Sequence, residues 1–448
     1  MFEVKSIKLE QKISNENEII LLFNTDSTFP CLFPLMFSLR VIRFQSLSTQ
    51  YSDLMALKDW YIFWYKKYSI SFCESFYSSN YNFELIQDEI DNFITFLENN
   101  NDLSNVVWLR VNSTVNYKNI SNKIRTLFKF YTYLMDDYLT VKKQPHIDRK
   151  EIEKIKSNIK KYMEIKKKNI RKFTKTIHGE KKYLFKSMTN EMVKVLYETI
   201  APSSSNNTNP FNPFKNRPTQ FRNFLIIHLM LNYGLRVGEL MLLTVNSMKK
   251  SVLNDTYSLI ITNTDDENDD RRRKPKIKNE FSYRVITLQE RDYRFINIYI
   301  KEIRSDINSD ILFTSLKPPH SSLSYSSINK IFKIIDKNIK YKIPHHFDNK
   351  AFDSIDSITP HVCRHTWAYL MLNYSFKKYE NMDKLGNSIN NIGQNSLDKA
   401  QDDLRVLGGW SPTSLMPTYY GKRFIVERAN ISNLERIIEM SFGFEKTI

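Results

Sequence analysis

Hydrophobic residues recur at helical spacing through much of the first third of the chain. Three stretches, residues 54–64, 86–97 and 120–134, each carry a single apolar stripe. Ser46, Ser48 and Thr49, residue types that cap helices, precede the first stripe. The pattern predicts three amphipathic helices, joined by a fourth, in a small helical domain over residues 36–148. Residues 1–35 are typical of short strands and turns, and we assign this N-terminal extension no role.

The second half of the chain predicts another domain, residues 187–448, in which helices surround a small sheet. Helix-capping residues open it at 187–191, and a helix over about 221–233 ends at Gly234. Strand-forming residues fill roughly 257–288, interrupted by the charged runs DDENDD and RRRK, and helical patterns return from Tyr325. The expected fold class is therefore mainly α with a small β-sheet, an α+β catalytic domain beside the helical one.

Charge changes this picture, because the chain carries 66 Lys and Arg against 49 Asp and Glu, a net charge of +17. Residues 149–186 hold 15 basic and 4 acidic side chains, so most of the surplus lies in this one segment. A solvated helix face is the ordinary explanation of such a run. We favour a basic interdomain linker that contacts phosphates of a nucleic acid.

Other features argue against a membrane or an oxidising compartment. The longest apolar stretches, residues 31–37 and 224–235, are too short to span a bilayer, and residues 1–12 show no signal peptide. Cys31, Cys73 and Cys363 form neither a disulfide framework nor a zinc pattern. We therefore expect a cytoplasmic protein.

Two segments place basic groups at the beginnings of helices. In LNYGLRVGELMLLTV, Arg236 lies in the turn before a helix. In ITPHVCRHTWAYLML, Thr359 and Pro360 start a helix on which His361 and Arg364, three residues apart, share a face. A helix N-terminus carries partial positive charge and suits an anion. Taken alone, such an arginine is more often a surface residue and such a histidine more often structural.

Two further segments carry the remaining candidate chemistry. VLGGWSPTSLMPTYYGKRF places Trp410 nine residues before Tyr419, a pair that would ordinarily belong to the core. PKIKNEFSYRVITL predicts a strand, a tight turn and a second strand, with Lys276 and Lys278 on the first arm.

Together these four segments resemble the boxes of the tyrosine recombinase, or phage integrase, family, in the family's chain order. GLRVGEL resembles its first arginine box and HVCRHTWAYLML its His-x-x-Arg box. LGGWSPTSLMPTYY resembles the nucleophile segment, with Trp410 where many members have histidine, and the family spacing of nine leads to Tyr419 rather than Tyr420. KIKNEFSYRVITL resembles the hairpin box, in which counting back from Arg284 gives Lys278. The helical half resembles the family's core-binding domain. An insertion near residues 377–400 and a long, charged hairpin loop depart from the family pattern.

The resemblance implies a site-specific DNA recombinase that cleaves and rejoins DNA through a covalent 3′-phosphotyrosine, without metal, ATP or another cofactor. Arginines suit the scissile phosphate because their planar fork stays charged and donates two parallel hydrogen bonds. The expected catalytic residues are two phosphate-clamping arginines, an indole N–H donor, a candidate base, a general acid on the hairpin and the nucleophile: Arg236, Arg364, Trp410, His361, Lys278 and Tyr419.

Duplex DNA with a specific recombination site is the expected partner, clamped between the two domains. Contacts from the helical domain and the linker would mostly reach phosphates; the candidates are Lys118, Lys123, Arg125, Lys129, Lys166, Lys167 and Lys168. The resemblance further implies a homo-tetramer on two paired sites, associated with the bacterial nucleoid and serving the integration or excision of a mobile element.

In the tail, residues 425–448, Ser432 and Glu435 predict a capping box. Ile431, Leu434, Ile438 and Phe442 predict an apolar stripe that docks on a neighbouring subunit or on its own domain.

Two other functions stay open. A type IB topoisomerase or a hairpin telomere resolvase would use the same chemistry, and the discriminating observation is whether strand exchange needs two specific sites or supercoils simply relax. A non-catalytic DNA-binding protein derived from an integrase would have lost a catalytic residue, whereas all six expected residues are present.

Overall fold

The computed structural model describes residues 1–8, 18–103, 117–177, 184–203, 208–252, 256–264, 269, 271, 274–384 and 395–440. The chain forms two compact units, Met1–Glu180 and Lys181–Ile448. Helices dominate both units, and the strands among the described residues form one two-stranded and one three-stranded antiparallel sheet. The predicted class, mainly α with a small β-sheet, is confirmed. Among the described residues, no helix has the length and apolar character needed to cross a bilayer.

The first unit is a helical bundle with a hairpin at its start. Its elements, in order, are β1 (Phe2–Lys8), β2 (Glu18–Asn24), α1 (Leu32–Phe37) with a π-helical turn (Ser38–Ile42), α2 (Leu47–Tyr68), α3 (Phe72–Ser78), α4 (Glu84–Glu98), α5 (Tyr117–Tyr138) and α6 (Arg149–Ile177).

The N-terminal extension belongs to the core of this unit. β1 and β2 pair antiparallel, from Phe2 opposite Asn24 to Lys8 opposite Glu18. The Phe2 ring stands edge-on to Tyr61 of α2, with ring centroids 5.3 Å apart. The hairpin therefore covers α2 and buries its apolar side.

The first predicted helix, α2, begins directly after Ser46, one of its predicted capping residues. Ser46 Oγ accepts a hydrogen bond from the Thr49 N–H at 3.3 Å, which satisfies a backbone donor that has no partner within the helix. The predicted stripe on α2 is buried against α4 and α5. The start of the third predicted helix, near Thr114, lies outside the described residues, and α5 is described from Tyr117.

Most of the segment predicted as a linker is a helix of the first unit. Residues 149–177 form α6, and Ile152, Ile159 and Met163 on it are buried in the same core as α2, α4 and α5. The apolar stripe of this charged helix gives it a packing face, so residues 149–177 are not an open connection between domains. Whether its basic face contacts phosphate stays a prediction.

The second unit has helices around a small sheet. Its elements, in order, are α7 (Asn190–Ile200), α8 (Arg217–Asn232), α9 (Val237–Leu242), β3 (Met248–Lys250), β4 (Tyr257–Ile261), a 3-10 turn (Glu280–Ser282), β5 (Arg284–Leu288), α10 (Glu290–Ile298) with a π-helical turn (Tyr299–Ile303), α11 (Tyr325–Lys342), a 3-10 turn (Pro344–Phe347), α12 (Pro360–Lys384), α13 (Ser396–Leu407), α14 (Met416–Tyr420) and α15 (Lys422–Met440).

The sheet differs from the predicted hairpin. Its strand order is β3-β4-β5, with Leu259 opposite Ile286, so β5 pairs with β4. The segment from Pro275 that carries Lys276 and Lys278, predicted as the first arm, is not a strand. Only the second arm of the predicted hairpin was therefore correct, because the pairing partner of β5 lies on the far side of the charged runs.

The core of the second unit surrounds α8, which begins earlier than predicted. Asn216 Oδ1 accepts a hydrogen bond from the Thr219 N–H at 2.9 Å, and Pro218 follows in the first turn. Leu225, Ile226 and Leu229 on α8 are fully buried. This helix and α12, which packs beside it, form the rigid base on which the candidate site is built.

The described part of the tail, residues 425–440, lies in one continuous helix. α15 runs through Ser432 and Glu435, so the predicted capping box is wrong: Ser432 lies inside the helix and not at its start. Ile431, Leu434 and Ile438 are 56–71% exposed. Phe442, the fourth predicted member of the stripe, lies outside the described residues.

Candidate active site

A left-handed glycine positions the first arginine. Gly234 follows α8 with φ +62°, and a Cβ on it would lie 2.3 Å from the Trp367 ring, so the turn requires a residue without a side chain. The chain then reverses and places Arg236 immediately before α9.

A buried carboxylate joins two arginines at this point. Glu239 accepts hydrogen bonds from the Arg236 N–H at 2.9 Å, from the Arg236 guanidinium, and from Nη2 of Arg284 at 2.9 Å. Burial acts to raise the pKa of Glu239, but the hydrogen bond from Arg284 and the charges of both arginines outweigh it and hold that pKa below its ordinary value. One negative charge therefore holds two guanidinium groups in place.

The third arginine is almost wholly buried. Arg364, 2% exposed, donates through Nη1 to the Gly234 carbonyl and through Nη2 to the Gly408 carbonyl at 2.5 Å. Its Nε is buried and has no hydrogen-bond partner among the described residues. Burial, followed by repulsion from Arg236, lowers the pKa of Arg364 to about 9. The site thus contains a positive charge that an anion would stabilise.

The loop after α13 closes the site. Trp410 lies with its ring centroid 4.5 Å from the Arg364 guanidinium carbon and 6.0 Å from that of Arg236. Gly409, with φ +61°, offers its carbonyl oxygen to Arg236 Nη2 at 3.2 Å. The structure thus brings Trp410 together with Arg236 and Arg364, and the role of its indole N–H as a donor stays a prediction.

Two histidines lie one turn apart on α12. Thr359 Oγ1 accepts the Val362 N–H at 3.2 Å, so the predicted helix start is confirmed. Nε2 of His361 is 3.2 Å from Nε2 of the buried His365. Partial burial of the His361 ring, with Lys186 and Arg364 as further causes, lowers the pKa of His361; burial and His361 lower that of His365 to about 3. Both imidazoles are therefore neutral at neutral pH, the state that a base requires.

The two adjacent tyrosines occupy different surroundings. Tyr419 is 47% exposed, and Nζ of Lys186 donates a hydrogen bond to its hydroxyl oxygen at 3.0 Å. The Tyr420 ring stacks on His365 at 4.4 Å and lies 5.1 Å from the Trp410 ring. The Arg364 guanidinium carbon is 5.4 Å from the Tyr420 ring. Tyr420 therefore packs within the site, while the Tyr419 hydroxyl is accessible at its edge.

The two candidate lysines of the hairpin box lie on the exposed irregular segment before the 3-10 turn. The Lys278 side chain has no hydrogen bond or ion pair with the described part of the chain. The neighbouring Ser282, by contrast, is buried, and its hydroxyl accepts from Arg236 at 3.1 Å. The structure therefore attaches this segment to the site through Ser282 and leaves the Lys278 ammonium in solvent.

In the first unit, several of the predicted DNA contacts are engaged in ion pairs. Lys123 pairs with Asp59 at 2.7 Å, Lys129 with Asp53 at 2.9 Å, Lys166 with Asp91 at 2.5 Å and Lys167 with Glu164 at 3.0 Å. Lys118, Arg125 and Lys168 are exposed. The positions of these last three suit contact with a polyanion best, because their charges are presented to solvent.

One group of side chains away from these residues could hold a metal ion. Glu191, His345 and His346 bring three ligand atoms within 4.8 Å of one another, and His346 Nε2 is 3.1 Å from Glu191 Oε2. None of these residues belongs to the predicted site. A hydrogen bond that joins α7 to the 3-10 turn after α11 explains the contact without a metal.

Five residues of this centre were not predicted from the sequence as site residues: Lys186, Glu239, Arg284, His365 and Tyr420. Glu239 carried a weak signal, since it lies three residues after Arg236 on the same helix. His365 lies one turn after His361 and was noted only as part of the family box. Lys186 had no local signal, because 233 positions separate it from Tyr419.

Comparison with known proteins identifies the second unit. Residues 186–386 match the sequence profile of the phage integrase family, which confirms the predicted family for this part of the chain. No curated protein matches the chain.

Solved structures of low sequence identity are similar in part. A XerH site-specific recombinase bound to difH substrate, in a pre-cleavage complex, is 14% identical with a TM-score of 0.46, over 86% of this chain and 80% of that one. The Tn1549 transposon integrase in complex with transposon right end DNA is 16% identical with a TM-score of 0.40, over 70% and 80%. The XerA recombinase is 13% identical with a TM-score of 0.32, over 75% and 77%.

Proposed function

Residues 186–386 of this chain are a phage integrase family domain, and from that premise we propose that the protein is a site-specific DNA recombinase. It cleaves and rejoins duplex DNA through a covalent 3′-phosphotyrosine, without metal or ATP. Integration or excision of a mobile element, in the cytoplasm and on the nucleoid, is the biological role that we propose.

The observation that carries this proposal is the convergence of three arginines on one centre with a single buried carboxylate. Arg236, Arg284 and Arg364 supply three positive charges. Among the described residues, Glu239 is the only carboxylate that accepts hydrogen bonds from their guanidinium groups, one from Arg236 and one from Arg284. Such a centre is short of negative charge, and a phosphodiester supplies it. Since negative charge builds on the non-bridging oxygens during in-line attack, preorganised guanidinium groups stabilise the transition state.

We assign Arg236 and Arg364 to the scissile phosphate. Arg236 is partly exposed and reaches solvent at the edge of the site. The indole N–H of Trp410, a donor that does not titrate, adds a hydrogen bond to the same phosphate. Arg284 donates to the Leu407 carbonyl at 2.8 Å and to Glu239, so we assign it to holding the loop before Trp410 in position.

Tyr419 is the nucleophile in this proposal. Its exposed hydroxyl is open to a DNA strand, whereas Tyr420 is packed between His365 and Trp410. The neutral His361 is the candidate base for the phenol proton. The phosphorus–O5′ bond breaks as the phosphorus–tyrosine bond forms, and the exposed Lys278 protonates the leaving 5′ oxygen.

The partners follow from the charge and from the chemistry. Both units contact the DNA, the first through exposed cations such as Lys118, Arg125 and Lys168. Rejoining to a new partner requires two cleaved sites, so we propose a homo-tetramer on two paired sites. The exposed apolar side of α15 is the surface that we assign to contacts between subunits.

A covalent trap on DNA tests the proposal. Nicked suicide substrates, built from the DNA that flanks the coding sequence, should accumulate an adduct whose peptide map places the phosphate on Tyr419. Tyr419→Phe removes only the hydroxyl and should abolish the adduct, while the matched Tyr420→Phe variant should keep it. Loss of the adduct in Tyr420→Phe alone would identify Tyr420 as the nucleophile.

The alternatives make different predictions in the same experiment. Relaxation of supercoils without exchange between two sites would indicate a type IB topoisomerase, and closure of DNA ends into hairpins a telomere resolvase. Binding without any adduct on every substrate would indicate a non-catalytic DNA-binding protein.

A further inference from the structure

We infer that Lys186 is a further catalytic residue, which holds the Tyr419 hydroxyl and stabilises the negative charge on its oxygen during strand cleavage and rejoining. This inference rests on the proposed function, since it takes Tyr419 as the nucleophile. Nζ of Lys186 donates to the Tyr419 oxygen at 3.0 Å and lies 5.5 Å from the centre of its ring.

An exposed lysine beside an exposed tyrosine is often a chance surface contact, so the position of the lysine backbone decides the question. Both neighbours of Lys186 are buried, Phe185 on one side and Ser187 on the other. The guanidinium carbon of the buried Arg423 lies 5.2 Å from the Phe185 ring, and its Nη1 donates to the Ser187 carbonyl at 2.9 Å. Arg423 stands on α15, three residues after Tyr420.

A second anchor follows immediately. The Met188 N–H donates to Thr366 Oγ1 at 2.9 Å, and both residues are fully buried. Thr366 lies on α12, two residues after Arg364. The segment 185–188 is therefore fixed both to the helix that carries Arg364 and to the helix that follows the tyrosines. Its buried residues leave the Lys186 side chain directed at Tyr419.

The charge of Lys186 also acts at the rest of the site. Burial is the largest cause of the lowered pKa of His361, and the charge of Lys186 is the next. For His365, the charge of Lys186 is a smaller cause, behind burial and the charge of His361. The ammonium therefore lies close enough to both imidazoles to disfavour their protonation. A cation at this position adds to the effect of burial in favouring the neutral form of the candidate base, and at the same time it faces the oxygen that becomes negative.

The chemical step balances with Lys186 protonated throughout. The phenol proton leaves to the base, the tyrosine oxygen bonds to phosphorus, the bond from phosphorus to the 5′ oxygen breaks, and that oxygen takes a proton from Lys278. Lys186 donates a hydrogen bond to the tyrosine oxygen before attack. In the rejoining step, when a 5′ hydroxyl attacks the phosphotyrosine, the same hydrogen bond stabilises the departing phenolate.

This position predicts a kinetic signature different from that of Lys278. A 5′-bridging phosphorothiolate makes the leaving group independent of a proton donor, so it should rescue Lys278→Ala. It should not rescue Lys186→Met, since that variant is impaired at the nucleophile. Lys186→Met should slow single-turnover cleavage by about 100-fold on both substrates, the effect of removing one donor from a developing anion. Lys186→Arg should recover much of the rate.

The experiment measures single-turnover cleavage by the full chain against pH on both substrates, with DNA affinity measured in parallel. Lys422→Met is the matched control, an exposed lysine whose Nζ lies 3.5 Å from the Leu184 carbonyl, and it should cleave at the wild-type rate. With Lys186→Met, the rising limb of the pH profile should move to higher pH and the DNA affinity should change little.

Three outcomes would overturn the inference. Wild-type cleavage by Lys186→Met would make the hydrogen bond incidental. Rescue of that variant by the phosphorothiolate would place Lys186 at the leaving group, and a loss of DNA affinity that accounts for the whole effect would make it a simple phosphate contact. If the wild-type chain forms no adduct at Tyr419, the proposed function fails and this inference fails with it. The wild-type measurement alone therefore distinguishes that outcome from a failure of the inference.

Discussion

The Glu239 carboxylate and the Arg284 guanidinium form a buried ion pair, 2.9 Å from Oε2 to Nη2 and 45 positions apart in the chain. Both side chains are under 10% exposed. Because Glu239 also accepts from Arg236, it determines where both guanidinium groups lie. The first arginine of the site is thus held by a residue that never needs to touch the DNA.

Removing the charge of Glu239 should destabilise the second unit. Glu239→Ala leaves two arginines without their counter-charge and should lower the free energy of unfolding by about 3–5 kcal/mol; Glu239→Gln should lower it less. Urea denaturation measures both. The control is Glu290→Gln, which breaks an exposed pair with Arg294 and should change stability by less than about 1 kcal/mol. Equal effects of Glu239→Ala and the control would contradict the role given to Glu239.

Stability should fall as the pH drops below the ordinary histidine pKa of 6.5. The pKa of His365 is lowered to about 3 in the folded protein by burial and by His361, so between these values the unfolded chain binds a proton that the folded chain does not. The free energy of unfolding therefore rises with pH across that window, by at most about 1.4 kcal/mol per pH unit for one such group.

Urea denaturation between pH 7.5 and 5.5 tests this dependence. His365→Gln should flatten it, and His146→Gln, at an exposed histidine of the first unit, should leave it unchanged. A wild-type curve that is already flat over this range would show that His365 is not held neutral.

The Lys278 assignment predicts a rescue experiment. Lys278→Ala should slow cleavage of ordinary DNA strongly, and a 5′-bridging phosphorothiolate should restore much of the rate because a thiolate leaves without a proton. Single-turnover kinetics measure both. Lys276→Ala is the matched control, on the same exposed segment. Rescue of Lys276→Ala instead would place the general acid two residues earlier.

The salt dependence of DNA binding tests the basic face of the first unit. Replacing Lys118, Arg125 and Lys168 with glutamine should weaken binding to specific and random DNA alike. The slope of log K against log salt should become shallower by about 0.9 for each DNA phosphate that is no longer neutralised. Replacing Lys166 and Lys167, which pair with Asp91 and Glu164, should change the slope less. An unchanged slope in the first variant would place these three side chains away from the DNA.

Deleting residues 431–448 should leave the second unit folded but prevent four subunits from assembling on two sites. The removed part of α15 presents Ile431, Leu434, Ile437 and Ile438, each 46–71% exposed, so these four side chains add little to the core of the unit. Arg423 and Glu427, which pair at 2.7 Å, remain. Single-site binding should survive in gel-shift titrations, whereas the complex of four subunits on two sites, and recombination, should disappear. Normal tetrameric complexes would refute the tail contact, and an insoluble product would show that the tail packs on its own unit.

The sequence predicted those parts of the centre whose signals are local. Gly234 at the end of α8, Arg236 after it and the Thr359 cap before His361 each follow from a few adjacent residues. The family spacing then linked these segments and pointed to Trp410. Helix starts and stops depend on short-range hydrogen bonds, which is why these positions could be read from the chain.

Relationships between distant residues could not be predicted in this way. The partner of β5 is β4, beyond two charged runs, and nothing near residue 284 indicates it. The capping box at Ser432 failed for a related reason: no glycine or proline interrupts residues 422–431, so the helix is already formed when it reaches Ser432. Lys186 meets Tyr419 only because the core of the second unit brings their two segments together.

Besides the Glu239 carboxylate, main-chain acceptors hold two arginines of this centre. Arg364 donates to the carbonyls of Gly234 and Gly408, and Arg236 to that of Gly409. Every residue type has a carbonyl oxygen, so side-chain changes in these loops leave the acceptors in place as long as the backbone keeps its path. Within these loops, mutational sensitivity should thus concentrate where the path needs a left-handed glycine, at Gly234 and Gly409, and the other loop side chains can change with less effect on the arginines.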